Sequence, residues 1–232
     1  PLFAARFISL PVRIIISVCL TVPLMGQVPI PEPDALSSLS SVVIAFREMA
    51  IGLSAGMVLQ ILFAAAVMAG DRIANTAGLG LAAQVDPTSG SQSPVIGQFF
   101  MLFLLAIFVT EDGHLAAIRL ILDSYRLIPI GTPIASAALL DAGLSAAPMM
   151  FANAAQLMMP VVSVLLLLNL VIGVITRSAP SLNLFAFGFP LTMTATLLLL
   201  FLTVTSLGPT LSERVAQALQ HLMEMLNGLP NG

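Results

Sequence analysis

Few side chains in this sequence could carry out acid–base, nucleophilic or metal chemistry. The two histidines are His114 and His221, and His114 follows Glu111, Asp112 and Gly113 in one short polar stretch. A serine hydrolase of the α/β type needs a Gly-x-Ser-x-Gly elbow at a strand-to-helix turn, but the one such spacing, Gly52 to Gly56, lies inside an apolar run of helical length. An intramembrane aspartyl protease needs two carboxylates within its apolar helices. One short acidic cluster with a single histidine offers too few convergent ligands for a metal. The sequence therefore predicts no enzyme activity and no catalytic, metal-binding or cofactor-binding residues.

A polar, glycine-rich stretch from Gly78 to Pro94 separates two apolar runs. Pro87 biases Asp86 away from the α region, Gly90 permits positive φ, and neighbouring serines offer hydrogen bonds that compete with a helical ladder. A continuous helix is therefore not expected here. Because hydrocarbon would leave the backbone of such a loop unsatisfied, it must lie in water, inside protein or against a water-filled passage.

The composition is typical of a membrane protein. Of the 232 residues, 58% are hydrophobic and 8% are charged, with a net charge of -3, and the mean hydropathy is +1.05. Soluble domains are about half apolar and about a quarter charged. No cluster of basic residues indicates nucleic-acid binding, and the single cysteine, Cys19, excludes an intrachain disulfide. Since no linker divides the chain, residues 1–232 are predicted to form a single helical subunit.

Apolar runs of helical length occupy most of the chain. They cover residues 49–70, 95–110, 135–155, 157–176 and 185–207, and a helix interrupted by charges follows at 115–128. The run at 49–70 has no formal charge and is long enough to cross a hydrocarbon core of about 30 Å. Its Gly52-x-x-x-Gly56 pattern suits close helix packing. Gly52 and Gly56 are therefore predicted to lie at a helix contact, within the chain or with a partner.

The C-terminal part of the chain has an amphipathic pattern. Thr210 and Glu213 form a capping-box pattern directly after Pro209, which predicts the start of a separate helix. Apolar residues then recur at spacings of three and four: Leu211, Val215, Leu219, Leu222, Leu226 and Leu229. We expect this apolar face to lie on a partner or on a membrane surface.

An ordered set of short motifs extends over roughly residues 45–195. The motifs are Arg47-Glu-Met-Ala-Ile-Gly-Leu53, Ala69-Gly70 followed by Gly78-Leu-Gly80, Asp86-Pro-x-Ser-Gly-x-Gln-Ser-Pro-Val95, Asp112-Gly-His114, Ser124-Tyr-Arg-x-x-Pro129 with Gly131, Pro180-x-Leu-Asn183 and Gly188-Phe-Pro-Leu191. Each motif alone is weak, but the ordered set is specific. It resembles the FliR family of flagellar biosynthesis proteins, which are inner-membrane subunits of the export gate in bacterial type III secretion.

The resemblance implies an all-α membrane protein, a bundle of apolar helical hairpins with broken helices and a Gly/Pro-rich loop. One FliR-like subunit is expected to join several FliP-like and FliQ-like subunits, and an FlhB-like subunit, in a spiral pore for unfolded flagellar proteins. The expected location is the bacterial inner membrane at the flagellar basal body. Family members usually begin with a further apolar segment ahead of the part like residues 1–13, so this chain is expected to lack that segment.

The resemblance also implies that the polar loop is the family's plug, which projects into the pore and helps to close it. The corresponding residues are Ala82, Ala83, Gln84, Val85, Asp86, Pro87, Thr88, Ser89, Gly90, Ser91, Gln92, Ser93 and Pro94. The related protein of virulence injectisomes shares the Asp-Pro-x-Ser-Gly core, so an injectisome gate subunit is one alternative. A secondary transporter with a midplane site on residues 78–94 is another.

Overall fold

The computed structural model describes residues 8–26, 28, 40–79, 95–134, 136–179 and 187–229. These residues form α-helices joined by short connections, with a 3₁₀ turn at Val22–Gly26 and no strand in the described ranges. The helices are α1 (Leu10–Thr21), α2 (Ser40–Thr76), α3 (Val95–Thr110), α4 (Gly113–Leu127), α5 (Ser136–Ser178) and α6 (Phe189–Gly228). The predicted all-α fold is confirmed.

Three of these helices are long and apolar enough to cross a membrane. The candidate spans are Ser41–Thr76, Gly143–Ser178 and Phe189–Gly228. The pair α3 and α4, bent by 65°, makes a fourth if the two helices together form one span. The break falls at Glu111 and Asp112, where Asp112 has a left-handed φ of 55°. Aspartate adopts this conformation more readily than most residues because its short side chain can bond locally. The predicted membrane class and the predicted broken helix are confirmed.

The described helices contribute to two compact units. The first contains Pro1–Leu62, Phe108–Pro148 and Val215–Gly232, and the second contains Phe63–Ile107 and Met149–Arg214. Residues of α2, α3, α5 and α6 therefore occur in both units. That the whole chain acts as a single subunit stays a prediction.

The core of the first unit joins α2, α4 and the end of α6. Its buried members are Ala55, Val58, Ala117, Ile128, Leu222, Met225, Leu226 and Leu229. Each Å² of apolar surface that this packing removes from water stabilises the fold by about 25 cal/mol. The sequence prediction that the C-terminal apolar face lies on a partner or a membrane surface is therefore wrong. It packs against other helices of the same chain.

The predicted helix start after Pro209 is also wrong. Pro209 lies inside α6, and the Thr210 hydroxyl donates to the carbonyl of Ser206 at 2.8 Å. A capping box forms only at a helix end with free backbone N–H groups. Because the preceding turn is already helical, Thr210 bonds back along its own helix.

The second unit buries the small-residue end of α2 together with α3, α5 and α6. Ala66, Ala69 and Ile73 of α2 have no exposed surface. Large side chains that are almost completely buried in this unit include Phe63, Phe100, Leu104, Leu165, Ile172 and Leu211. Thr196 is also almost completely buried. Alanine and glycine on one helix allow neighbouring backbones to approach closely. The small residues of α2 in this unit therefore suit close packing against neighbouring helices.

Candidate functional site

The predicted plug residues, 82–94, lie outside the described residues. The structure describes both flanks of this segment in the second unit. On one side α2 ends at Thr76 and is followed by a turn at residues 77–79, and on the other side α3 begins at Val95. The two helix ends next to the loop are therefore described, and their contacts determine where the loop begins and ends.

Gly70 of α2 and Gly97 of α3 bring the two flanking helices into backbone contact. A Cβ atom placed on Gly70 would lie 2.6 Å from the Cα of Gly97 and 2.7 Å from the Ile96 carbonyl oxygen. Distances below 3.0 Å are not found for real Cβ atoms. The contact was missed in the sequence, although the Ala69-Gly70 pair was a signal for it. Glycine is therefore required at the crossing of α2 and α3.

Asp71 of α2 lies beside the first turn of α3. A Cβ atom on Gly97 would collide with the Asp71 Oδ1 atom. This oxygen is buried and has no hydrogen-bond partner in the structure. A carboxylate near a helix N-terminus is stabilised by the helix dipole and by free backbone N–H groups. A side chain at position 97 would therefore require the Asp71 carboxylate to move.

Gly52 and Gly56, the predicted packing residues, lie on an exposed face of α2 in the first unit. A Cβ atom on either glycine would have no neighbour within 4 Å. The same stretch of α2 exposes Val42, Val43, Phe46, Met49, Leu53 and Met57. The helix instead buries Ala55, Val58 and Leu62. A contact within the described part of the chain is therefore not found at these glycines, and a contact with a partner stays a prediction.

A polar clasp in the first unit joins α2 to the connection after α4. Arg47 Nη1 donates to the carbonyl oxygens of Gly131 at 3.3 Å and Thr132 at 2.9 Å. The adjacent Glu48 carboxylate accepts hydrogen bonds from the Gly131 backbone N–H and the Tyr125 hydroxyl. We call these five residues the clasp. Two of the motifs found in the sequence therefore meet in space.

Arg47 and Glu48 have a different role in the clasp from the one that their position in the sequence first indicates. Arg47 and Glu48 precede a long uncharged run, a position typical of residues that mark the end of a membrane span. In the structure α2 begins at Ser40 and runs through both residues. Gly131 has a φ of 90°, so the turn needs a residue that tolerates the left-handed region. The clasp holds this turn against α2.

The side chains with nucleophilic or metal-binding chemistry do not form a reactive site in the described residues. Ser145 Oγ lies 3.4 Å from His221 Nε2, but His221 Nδ1 is 4.0 Å from Glu224 Oε2, too far for a hydrogen bond. The buried Nδ1 of His114, in the first turn of α4, has no hydrogen-bond partner. The described ranges contain no group of three His, Cys, Asp or Glu residues that could hold a metal.

Comparison with known proteins relates these features to a family. The family described as bacterial export proteins, family 1, matches residues 1–218. The chain belongs to this family. The FliR-type resemblance carried by the motifs is thereby confirmed, and the chain is a membrane protein of a bacterial export apparatus.

Named relatives of this bacterial export protein fall into two groups. The flagellar biosynthetic protein FliR of Pectobacterium carotovorum subsp. carotovorum is 33% identical over 189 residues, which cover 81% of this chain and 72% of the relative. FliR of Escherichia coli (strain K12) is 30% identical over 231 residues, covering 99% and 88%. The surface presentation of antigens protein SpaR of Shigella flexneri is 28% identical over 141 residues, covering 61% and 54%.

Proposed function

We propose that this bacterial export protein is a subunit of the export gate of the flagellar type III secretion system. It helps to form and close the pore through which unfolded flagellar subunits pass. The observation that carries the proposal is the family match over residues 1–218, with flagellar relatives at 30% and 33% identity over most of their length. Three helices long and apolar enough to cross a membrane support a membrane-embedded subunit.

The proposed partners are FliP-like and FliQ-like gate subunits and an FlhB-like subunit, in the bacterial inner membrane at the flagellar basal body. The isolated chain exposes large apolar side chains along its long helices, among them Phe46, Leu53, Leu167, Leu170, Phe201 and Leu202. Lipid and apolar neighbouring subunits both suit such surfaces. The exposed Gly52 and Gly56 favour a neighbouring helix at α2, because small residues allow backbones to approach.

We further propose that residues 82–94 are the plug of the pore. A closed pore must block ions and still yield to an unfolded chain, which favours weak, reversible contacts over a rigid core. The sequence supports this because Gly90 gives backbone freedom while Pro87 and Pro94 restrict the bends. Asp86 suits hydrogen bonding to N–H groups within the loop. The ends of the two flanking helices, residues 63–76 of α2 and 95–107 of α3, belong to one compact unit, which would give the loop firm ends.

Deletion of the gene in its own host tests the flagellar assignment. The deletion strain is expected to stop swimming and to retain flagellar subunits in the cell, and the intact gene should restore both. The SpaR relationship makes an injectisome gate the second candidate. A deletion strain that swims and secretes flagellar proteins normally, but no longer exports virulence proteins, would replace the first assignment with the second.

Native mass measurement of the detergent-extracted complex separates a gate subunit from a secondary transporter. A gate subunit is expected to be released together with other apolar subunits of different mass. A chain that purifies alone and carries a small solute across vesicle membranes would contradict the proposal.

A further inference from the structure

The C-terminal end of α2 satisfies part of its own backbone. The N–H of Leu79 donates to the carbonyl of Ala74 at 3.0 Å, and the N–H of Gly78 donates to the carbonyl of Asn75 at 3.1 Å. This pair of bonds, with Gly78 at a φ of 85°, is the Schellman arrangement that ends many helices. It leaves the last two carbonyls, those of Thr76 and Ala77, without a backbone donor from the turn.

Side chains from two other helices supply the missing donors. Asn169 of α5 donates its Nδ2 to the carbonyl of Thr76 at 3.0 Å. Thr192 of α6 lies with its hydroxyl 3.0 Å from the carbonyl of Ala77 and shares the proton with the carbonyl of Phe189, at the same distance. Thr192 is buried. All of these residues belong to the second unit.

These contacts matter because an unpaired carbonyl is unfavourable in apolar surroundings. The bond from Thr192 to the Ala77 carbonyl is buried, where water cannot take its place, whereas the bond from Asn169 to the Thr76 carbonyl is exposed in the isolated chain. Both give the last carbonyls of α2 fixed donors. Phe189 also packs on this end, since a Cβ atom on Gly78 would lie 3.1 Å from its ring. We call the end of α2 with Asn169 and Thr192 the capping junction.

We propose that Asn169 and Thr192 are positioning residues that hold the end of α2 and so fix the point where the chain leaves it toward residues 82–94. The effect on pore closure rests on the proposed function, whereas the hydrogen bonding at the junction does not. The sequence places only Gly80 and Leu81 between this junction and the first predicted plug residue.

Hydrogen exchange in the assembled complex tests the junction. Thr192→Val keeps the shape and removes the donor, Thr192→Ser keeps the donor, and Asn169→Leu removes the second donor. Thr194→Val is the matched control, because the Thr194 hydroxyl bonds only within its own helix, to the Pro190 carbonyl at 2.8 Å. The double variant Asn169→Leu with Thr192→Val is expected to speed exchange of the Gly78 and Leu79 amides by roughly tenfold or more. Thr192→Ser and Thr194→Val should exchange at the wild-type rate.

Ion conductance of vesicles containing the same complexes tests the consequence for closure. The double variant should assemble with unchanged native mass but leak, while Thr192→Ser and Thr194→Val stay sealed. If the double variant does not assemble, Thr192→Val alone is compared with the same controls.

Exchange at the wild-type rate in the variant that lacks both donors overturns the inference. A second outcome also overturns the inference: the double variant shows faster exchange at the end of α2 but its pore stays sealed, while the complex lacking residues 86–93 leaks. If that deletion itself stays sealed, the plug assignment fails, and the exchange result alone decides whether these side chains hold α2.

Discussion

Gly70 and Gly97 set the closest approach between the helices that flank the predicted plug loop. We expect Gly70→Ala to lower the free energy of unfolding by about 1–3 kcal/mol, because the new methyl group overlaps backbone atoms of α3 that cannot move independently. An unfolding titration of the purified chain in detergent measures this. Gly173→Ala is the control, since its Cβ has open space, and it should be neutral or stabilising by up to about 1 kcal/mol. Equal effects of the two substitutions would show that the close contact is not real.

The clasp makes a second prediction for single residues. Arg47→Met removes the donor of two carbonyls, those of Gly131 and Thr132. We expect a loss of about 1–3 kcal/mol in the same titration, because the carbonyls lose a charged donor in a half-buried site. Arg119→Met changes an exposed arginine of α4 and serves as the control. If both variants unfold at the same denaturant concentration as the wild type, the clasp does not hold the turn.

At the scale of elements, the end of α6 is part of the core of the first unit. Leu222 has no exposed surface and packs in a cluster with residues of α2 and α4. Leu222→Ala is therefore expected to destabilise the chain by about 2–5 kcal/mol through lost burial and the cavity it leaves. Met223→Ala, at a position 42% exposed, should change stability by no more than about 0.5 kcal/mol. A Leu222→Ala variant that unfolds like Met223→Ala would restore the interpretation of this helix as a surface on another molecule.

The exposed face of α2 leads to the opposite expectation. Gly56→Leu should leave the fold of the isolated chain intact, because the added side chain meets open space. It should lower the yield of the assembled gate, because it prevents a partner helix from approaching closely. Pull-down of the complex from membranes, with thermal stability of the isolated chain measured in parallel, separates the two effects. Unchanged complex yield would exclude Gly56 from the partner contact.

The helices were predicted best where an apolar run has polar residues or glycine at both ends. Residues 95–110 were predicted and observed as one helix, because the polar loop precedes it and Glu111 and Asp112 follow it. Two segments predicted at 135–155 and 157–176 are instead the single helix α5, and Pro209 lies within α6. Proline signals a break reliably in water. In membrane helices the freed backbone groups find other partners, so the helix can continue.

The candidate site was predictable only in part, for a related reason. The stretch from Gly78 to Pro94 was predicted not to be a continuous helix, and α2 ends at Thr76, just before it. Gly78 has a φ of 85°, the left-handed conformation in which glycine commonly closes a helix. Nothing local distinguishes Asn169 or Thr192 from other polar residues in apolar helices. Their role comes from contacts with residues about a hundred positions away, and such pairings are set by the packing of helices rather than by the spacing of residues.

At the scale of the whole molecule, family membership and apolar helices make this chain a membrane component of an export apparatus. We propose that its polar loop closes the pore while the surrounding helices bind partners. These tasks belong to different parts of the chain. Changes in the loop should therefore affect sealing, whereas changes in the exposed helix faces should affect assembly.

Conductance of the assembled gate after deletion of residues 86–93 tests this account most directly. The deletion removes the central loop residues from Asp86 to Ser93 and leaves α2, α3 and the capping junction in place. We expect a complex of normal native mass, apart from the residues removed, that leaks ions and small solutes while the intact complex stays closed. A deletion complex that assembles, stays sealed and exports flagellar subunits normally would contradict the assignment of the loop as the plug.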